Sequence, residues 1–490
     1  MAGDIRVVLR DIGTLLIAIG IIVIFTTIVS FIFHEYDAIK YLLLTAGIFV
    51  GLGAPLVAFF RNAEEATFRE AMITAALGWL LISLIGCIPF LFMSEYGIGR
   101  GMDFLSAFFE SVAGWTGTGL TMVVHENNLP HTLQFYRSLI QWVGGVGVIV
   151  LTLAILARPG TGSYTLYRSE AREEKIHPSI LSTVRTIWWI FLLFTVIGII
   201  LLWATGMPIW EAINHCMTGL ATGGFSVTDD SMVPYGLASR IVIVFLMIAG
   251  AIAFATHYDL LNGKIKKFFK DPQTQALIFL IIAGGVAITI INFINGTYGK
   301  NILISLKESG FQFVSALTCT GFYTADITSW SNSAKIILSM AMIIGGAAGS
   351  TAGGIKLFRA ILLSKGLGWR LKRALSPPRR VLAYKLGEKN LSKDEALEEV
   401  NEAAIISFLW IILLFVGVII VTSSMHVSNL GDAIFEVCSA QGNVGLSVGI
   451  TSINMSPIAK IMLIFNMWIG RLEIIPVVVL IKSIISRKSY

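Results

Sequence analysis

Long apolar runs constrain this chain more than any other feature of its sequence. Runs such as LLIAIGIIVIFTTIVSFIF and ALIFLIIAGGVAITIINFI recur along it, and they approach or exceed the roughly 20 apolar residues that cross a bilayer. Only 13% of the residues are charged, against about 25% in ordinary soluble domains. The sequence therefore predicts an all-α polytopic membrane protein. The first run is too long for a signal-peptide core, so we interpret it as a retained helix.

We expect about ten spanning helices. Their predicted positions are 11–33, 39–60, 70–94, 132–156, 181–205, 237–257, 274–296, 333–363, 402–424 and 456–484. Four further segments are too short or too polar to span, and each ends in a glycine-bearing turn: 103–118, 208–222, 303–320 and 431–444. These segments are predicted to enter the membrane and leave on the same side.

Basic residues predict the orientation, because loops rich in lysine and arginine stay in the cytoplasm. Three loops carry such clusters: Arg158, Arg168, Arg172 and Lys175; Lys264, Lys266, Lys267 and Lys270; and the long segment from Lys365 to Lys385. With ten spans, these loops and both termini lie on one side. We therefore expect a multi-pass protein of the cytoplasmic (inner) membrane with both termini in the cytoplasm.

The bulk composition argues against several classes of protein. The net charge is +6, from 36 basic and 30 acidic residues, but no compact basic domain exists that would bind nucleic acid. The four cysteines show no paired spacing, which disfavours a disulfide framework or a zinc site. No nucleophile–base pair, phosphate loop or nucleotide-binding pattern is evident, so we do not expect an enzyme. The segment 365–400 is either a solvated loop with a short helix or a docking surface for a soluble partner.

The four short segments repeat one pattern about every hundred residues. Aligned on their terminal glycine, they read SAFFESVAGWTGTGLT, EAINHCMTGLATGGFS, ESGFQFVSALTCTGFY and DAIFEVCSAQGNVGLS. The aligned glycines are Gly119, Gly223, Gly321 and Gly445. A polar residue stands nine positions earlier in each: Glu110, Asn214, Gln312 and Glu436. Each repeat is thus predicted to be a spanning helix, a short helix, an extended turn and a second spanning helix.

Four glycine-bearing turns in one chain can converge around a central axis. Non-helical backbone at membrane depth is tolerated only where it is buried or lines a watery cavity, and a ring of carbonyl oxygens can replace the water shell of a monovalent cation. The predicted filter residues are Thr116, Gly117, Thr118, Gly119, Ala221, Thr222, Gly223, Thr318, Cys319, Thr320, Gly321, Asn443, Val444 and Gly445. Ordinary re-entrant packing turns of a transporter are the alternative interpretation. His215, Cys216 and Cys319 are interpreted as packing residues.

Beyond the repeats, the chain resembles the Trk/Ktr/HKT superfamily of potassium transporters, and within it the prokaryotic Trk membrane subunit. QFYRSLIQWVGGVGVIVL is similar to the second helix of the family's first unit, GGAAGSTAGGIKLFR to its intramembrane loop, and IGRLEIIPVVVL to its last helix. The resemblance covers nearly the whole chain. It implies two extra N-terminal helices in 1–65, followed by four pore units in 66–178, 179–270, 271–400 and 401–490.

The resemblance also implies a function. Glycine in all four filters is the family pattern that goes with potassium preference, and Gly119 is not the serine that accompanies sodium transport in plant relatives. Gly117 stands where bacterial relatives commonly have threonine, which leaves the strictness of selectivity open. The implied activity is channel-like potassium uptake, with potassium ions in the filter and no organic cofactor. A sodium- or proton-coupled cation symporter is the alternative. The implied partners are a second copy of the chain, membrane lipid and a cytosolic nucleotide-binding subunit of the TrkA or KtrA type.

The run GGAAGSTAGG interrupts the predicted span 333–363. Glycine costs helix stability relative to alanine, so the run favours a broken helix, although a small-residue packing interface would also explain it. By resemblance it is a loop below the filter that blocks permeation. The predicted gate residues are Gly345, Gly346, Gly349, Ser350, Thr351, Gly353, Gly354, Lys356 and Arg471.

Arg471 lies within the last apolar segment, where a charge is costly and therefore a functional candidate. Glu473 is a poor partner for it, because residues i and i+2 do not share a helix face. The resemblance implies that Arg471 lies near the intramembrane loop, below the filter, where it either holds the loop or sets an electrostatic barrier.

Overall fold

The computed structural model describes residues 5–156, 180–377, 382–387, 389–425, 427 and 429–486. The predicted basic residues Arg158, Arg168, Arg172 and Lys175 lie outside the described residues. Within them the chain is mostly helical, and the expected polytopic all-α architecture is confirmed. Six helices are long and apolar enough to cross a membrane, or up to eight when each of two bent pairs counts as one span.

Two N-terminal helices form a hairpin, α1 (Ile5–Ile32) and α2 (Tyr36–Phe59). Glycines bring their backbones into close contact: a Cβ atom at Gly13 would lie 2.8 Å from the carbonyl oxygen of Gly53. Small residues serve this purpose in membrane helix pairs because lipid gives helices little hydrophobic reason to associate. The hairpin packs on the rest of the molecule chiefly through α1.

Four units follow the hairpin, each with a first span, a pore helix and a second span. The first spans are α3 (Phe68–Gly86, continued by the short α4, Ile88–Phe92), α7 (Ile180–Ala204), α12 (Pro272–Ile294) and α16 (Lys393–Ser424). The pore helices are α5 (Phe104–Thr116), α8 (Ile209–Leu220), α13 (Ile302–Leu317) and α17 (Leu430–Gln441). The second spans are α6 (His131–Leu156), α9 with α10 (Leu237–Ala251, Phe254–Leu261), α14 with α15 (Asn332–Ile344, Leu357–Ala374) and α18 with α19 (Pro457–Arg471, Ile475–Ser486).

Three of the four second spans are broken, whereas α6 runs as one helix. The predicted break in the third unit is present, between α14 and α15. The spans predicted as continuous at 237–257 and 456–484 are instead bent, by 108° between α9 and α10 and by 110° between α18 and α19. Pro476 lies in the first turn of α19, after the second of these bends, where proline is tolerated because its missing N–H would have no intrahelical partner. Ile474, two residues earlier, has a positive φ of 71°.

The segment 365–400 differs from the predicted linker with a short helix. Its basic part is the second half of α15, and its acidic part forms the first turns of α16, which begins at Lys393. Ser392 and Glu395 cap α16 reciprocally, and this satisfies backbone donors that the start of a helix leaves free. Between the helices lies a hairpin of β3 (Tyr384–Leu386) and β4 (Lys389–Leu391). A second short antiparallel pair, β1 (Met93–Ser94) and β2 (Gly97–Ile98), follows α4, and α11 (Ile265–Lys270) precedes α12.

Candidate ion pathway

Each pore helix ends in the same backbone turn. In each turn, one of the first two residues after the pore helix adopts a left-handed conformation. These residues are Gly117, Thr222, Cys319 and Asn443, with φ of 64°, 50°, 55° and 52°. The next residue donates its N–H to the carbonyl five residues earlier, in the pairs Thr118–Ala113, Gly223–Thr218, Thr320–Ser315 and Val444–Ser439. Such a hydrogen bond satisfies the carbonyls that a helix end leaves free. These two features give a structural register for the four turns.

This register corrects the second filter by one residue. The glycine that follows the shared hydrogen bond is Gly119, Gly224, Gly321 or Gly445. The sequence alignment chose Gly223, because ALATGGF offers two adjacent glycines and letters alone do not distinguish them. In the structure Gly223 occupies the position of Thr118, and Gly224, which the prediction missed, is the glycine that aligns with Gly119, Gly321 and Gly445. Nine positions before it stands His215, not Asn214.

The four turns close into a ring. A Cβ atom at Gly119 would lie 2.7 Å from the carbonyl oxygen of Gly223 in the second turn. Added Cβ atoms at the other three positions would collide with the backbone of the next turn: Gly224 with Thr320, Gly321 with Val444, and Gly445 with Gly119. Each turn therefore touches the next, and the fourth touches the first. Three of these glycines also have positive φ, which other residues rarely adopt.

The polar residue nine positions before each glycine fixes the segment that follows the turn. Backbone N–H groups donate to the first, third and fourth of these side chains: Met122 to Glu110 (2.8 Å), Thr324 to Gln312 (3.0 Å) and Val448 to Glu436 (2.9 Å). In the second unit Nε2 of His215 lies 2.9 Å from Oγ of Ser226. His215 therefore has a more specific role than the packing predicted for it.

A second ring of contacts joins each unit to the next. The fourth residue of every second span reaches the following unit's pore helix, in the pairs Gln134–Trp210, Arg240–Glu308, Lys335–Asp432 and Lys460–Ser106. Three of these four residues are basic, and sequence reasoning missed them. The signal was present: a lone basic residue recurs in the first turn of three apolar helices. The contacts hold the four pore helices in a closed circle.

The first unit contains a buried ion pair between Arg137 and Glu110. Nε of Arg137 lies 2.9 Å from Oε1 of Glu110, and the side chains are 1% and 0% exposed. Nη1 of Arg137 also donates to the carbonyl of Ser226 in the second unit, and its guanidinium lies over the ring of Phe225. Because both charges are removed from water, the pair depends on these additional partners.

The predicted intramembrane loop spans 345–356, between α14 and α15. Gly345, Gly349 and Gly354 have positive φ values of 72°, 74° and 78°, which explains the glycines at these positions. The loop reaches the pore turns directly. Oγ1 of Thr351 donates to the carbonyl of Leu220 and receives a hydrogen bond from Thr222 (3.1 and 3.0 Å).

The loop also contacts the fourth turn and the bend between α9 and α10. A Cβ atom at Gly353 would collide with the carbonyl of Gly442, so the loop lies against the fourth turn. The backbone N–H of Ala347 donates to the carbonyl of Ala251, at the bend between α9 and α10. Gly346 packs at the same bend, and Ser350 donates to the carbonyl of Ala347 within the loop. The amine of Lys356, a buried side chain, donates to the carbonyl of Ala352.

Arg471 joins this loop to the first unit. It is 4% exposed, and its guanidinium donates to the carbonyls of Thr351 (2.9 Å) and Gly144 (2.8 Å). A Cβ atom at Gly117 would lie 3.7 Å from its Nη1, so the charge sits directly beside the first filter turn. Glu473 pairs with Arg359 instead (2.7 Å), as the i, i+2 argument predicted. Among the described residues, no carboxylate forms an ion pair with Arg471.

The fold and these contacts define a class. Four repeated units in one chain, a closed ring of turns and a non-helical loop against it make this a polytopic all-α membrane protein whose four units meet at one central ring.

The comparisons place the chain within that class: residues 45–489 match the family model TrkH, described as a cation transport protein, and the chain belongs to this family. It is 34% identical over 98% of its length to a cation transporter of Methanocaldococcus jannaschii, of which 96% is covered. It is 33% identical to the Trk system potassium uptake protein TrkH of Escherichia coli K12, covering 97% of this chain and 98% of that protein. The crystal structure of the potassium transporter TrkH from Vibrio parahaemolyticus matches with a TM-score of 0.84 at 26% identity, over 97% of this chain and 98% of the other.

Proposed function

We propose that this protein takes up potassium across the cytoplasmic membrane, by channel-like passage through the four-turn filter. The observation that carries the proposal is the closed ring of glycine turns, in which Gly119, Gly224, Gly321 and Gly445 each contact the next turn. Relatives over nearly the full chain are named as Trk potassium uptake proteins. The inside-negative membrane potential drives potassium inward, at about 2.3 kcal/mol per charge and 100 mV.

Carbonyl oxygens of the turns replace the hydration shell of a potassium ion in this mechanism. The pore helices α5, α8, α13 and α17 end at the turns, so the partial negative charge of their C-terminal ends faces the ion. The filter residues are those predicted from the sequence, with Gly224 added as the aligned glycine of the second turn. Potassium is the cargo, and no organic cofactor is needed.

The loop 345–356 is the gate in this proposal. It lies against the second and fourth turns through Thr351 and Gly353, and Arg471 holds Thr351 to the carbonyl of Gly144. Movement of the loop would break these hydrogen bonds together. The positive charge of Arg471 beside Gly117 adds an electrostatic barrier to a cation that leaves the filter.

The assembly is proposed to be a homodimer in membrane lipid, with both termini in the cytoplasm and a cytosolic nucleotide-binding subunit of the TrkA or KtrA type. The names of the relatives refer to a Trk system. The basic residues Lys264, Lys266, Lys267 and Lys270 support the orientation, because such clusters stay in the cytoplasm.

One observation favours a coupled symporter as the second candidate. Glu436 is completely buried and accepts hydrogen bonds from Ser447, Val448 and Thr451, yet no described basic side chain forms an ion pair with it. A carboxyl group of this kind beside the filter could carry a proton. Coupling predicts potassium flux that depends on an imposed sodium or proton gradient.

The test is rubidium and sodium flux into vesicles that contain the purified protein, with and without sodium and proton gradients. Gly224→Ser and Gly321→Ser are expected to abolish uptake or lower the preference for rubidium over sodium about tenfold or more, because their Cβ atoms meet the backbone of the next turn. Gly236→Ser is the matched control, since nothing lies within 4 Å of a Cβ atom there. Unchanged flux and preference in both filter variants would refute the filter; gradient-dependent flux would establish the symporter.

A further inference from the structure

A cleft about 370 Å³ in volume lies beside α15, on the side that the basic loops assign to the cytoplasm. It is lined by Ser364, Lys365, Gly368, Trp369, Lys372, Ala383 and Lys385. Two of the lysines come from α15 and the third from the hairpin strand β3. Among the described residues no acidic side chain lines the cleft, and its charged lining residues are all lysines.

The three lysines are uncompensated. Within the described part of the chain, none of them forms an ion pair, whereas Lys264 and Lys267 of another basic loop pair with Asp259. Like charges around one concave surface repel one another and raise the local concentration of anions. The cleft therefore has the chemistry of an anion site with several point-charge donors.

The floor of the cleft is aromatic and ordered by packing. Trp369 is 9% exposed, and its ring meets that of Tyr384 edge-on at a centroid distance of 5.4 Å. On the far side α15 packs tightly on α16, since a Cβ atom at Gly366 would lie 2.7 Å from Val400. Tryptophan and tyrosine are enriched where a membrane meets water. The lysines thus surround a tightly packed surface whose aromatic residues are typical of the membrane–water interface.

Exposed leucines adjoin the lysine rim along the same helix. Leu367, Leu371 and Leu375 are 62%, 54% and 86% exposed, and their spacing of four residues aligns them in one stripe. On a helical projection this stripe lies next to the face that carries Lys365, Gly368 and Lys372. A ligand that fits both surfaces has an anionic head and an apolar tail.

We propose that this cleft binds the phosphate headgroup of an anionic phospholipid, whose acyl chains lie along the leucine stripe. A soluble phosphate compound would use the lysines and leave the leucines exposed to water. The site is distinct from the ion pathway, although α15 begins immediately after the intramembrane loop. Lipid held there would therefore act on the helix that leaves the gate.

The experiment measures binding of the full-length purified protein to phosphatidylglycerol in nanodiscs and by native mass spectrometry, with phosphatidylcholine as reference lipid. The triple variant Lys365→Gln, Lys372→Gln, Lys385→Gln is expected to weaken phosphatidylglycerol binding about five-fold for each lysine removed. The charge-retaining triple Lys→Arg variant is expected to bind like the parent. Replacing Leu367 and Leu371 with Ser is expected to weaken lipid binding and leave any binding of inorganic phosphate unchanged.

A second triple variant, Arg370→Gln, Lys266→Gln, Lys393→Gln, removes the same charge outside the cleft and is the matched control. Equal losses in the two triple variants would overturn the proposal, since general surface charge would then explain the binding. Inorganic phosphate that competes fully with the lipid, with no effect of the leucine changes, would also overturn it in favour of a soluble ligand. If the leucine variant no longer dimerises but still binds lipid like the parent, the stripe contacts a second copy of the chain, and the proposal is overturned.

Discussion

Arg137 and Arg471 are both buried arginines on second spans, yet the protein treats their charges in opposite ways. Arg137, in the first unit, pairs with Glu110 at 2.9 Å. Arg471, in the fourth unit, donates within the described part of the chain only to carbonyls, those of Thr351, Gly144 and Gly145. Among the described residues, the first charge has a carboxylate partner, and the second, which lies against the intramembrane loop, has none.

The carboxylates of the same two units show the reverse difference. Glu110 and Glu436 occupy the same position relative to the filter glycine, and both receive hydrogen bonds from the segment that follows it. Of these two carboxylates, only Glu110 forms an ion pair with a described basic side chain. The third unit places a neutral amide, Gln312, at this position with the same kind of hydrogen bond. The repeat therefore requires an acceptor here and not a charge, and the unit-specific charges are additions to a common scaffold.

The largest effect is expected from breaking the pair in the first unit. Arg137→Met leaves Glu110 buried without its cation, and such losses typically cost about 3–5 kcal/mol. We expect a large fall in thermal stability in detergent. The double variant Arg137→Met, Glu110→Gln should recover a good part of it, because the uncompensated charge is gone. A single variant as stable as the parent would mean that the pair contributes nothing.

A smaller effect on stability but a clear effect on flux is expected at Arg471. Arg471→Gln removes the positive charge below the filter, and about 1.4 kcal/mol less repulsion would raise basal flux about tenfold. Lysine keeps the charge but not the planar fork of donors. If Arg471→Lys also raises flux, hydrogen bonding to Thr351 holds the gate; if it behaves like the parent, charge is the barrier. Parent-level flux in both variants would exclude either role.

Glu436→Gln is expected to be mild, at most about 1 kcal/mol, because Gln312 performs the same task in the third unit. Thermal stability and flux should both remain close to those of the parent. The same variant also tests coupling. If potassium flux depends on a proton gradient in the parent but not in Glu436→Gln, Glu436 has a proton-carrying role. Glu110→Gln serves as the contrast, since it leaves Arg137 without its carboxylate.

A modest effect that depends on pH is expected from Glu126, in the segment that follows the first turn. Burial raises the pKa of Glu126 to about 7, despite the opposing charge of Arg137 and with the help of Glu110 and Asp229. The carboxyl is therefore mostly neutral at pH 6 and mostly ionised at pH 8. Added negative charge attracts cations, so uptake at low potassium should rise about two-fold across this range. Glu126→Gln should flatten the dependence; an unchanged pH profile would exclude Glu126 as its source.

Much of this arrangement could be predicted from the sequence, and the failures have physical causes. Spans and pore helices follow from hydrophobic length and from the repeat, and both were located. The second filter was displaced because Gly223 and Gly224 are alike in sequence and differ only in backbone conformation. The bends at Ala251 and Arg471 were missed because apolar composition continues across them. The contacts of Arg137 with Ser226 and of Lys460 with Ser106 join different units, and no local pattern encodes them.

The contact between Lys460 and Ser106 has a consequence for biosynthesis, because 354 residues separate the two in the chain. A ribosome must finish almost the entire polypeptide before the fourth unit can meet the first. Until then Ser106 and the first turn have no neighbour on one side, although the first three units can already associate in order. Domains usually fold as they are made, but the closed ring of turns can form here only after translation is nearly complete. Under the proposed function, truncated chains are therefore expected to be non-conducting, which would protect the cell from a leak during synthesis.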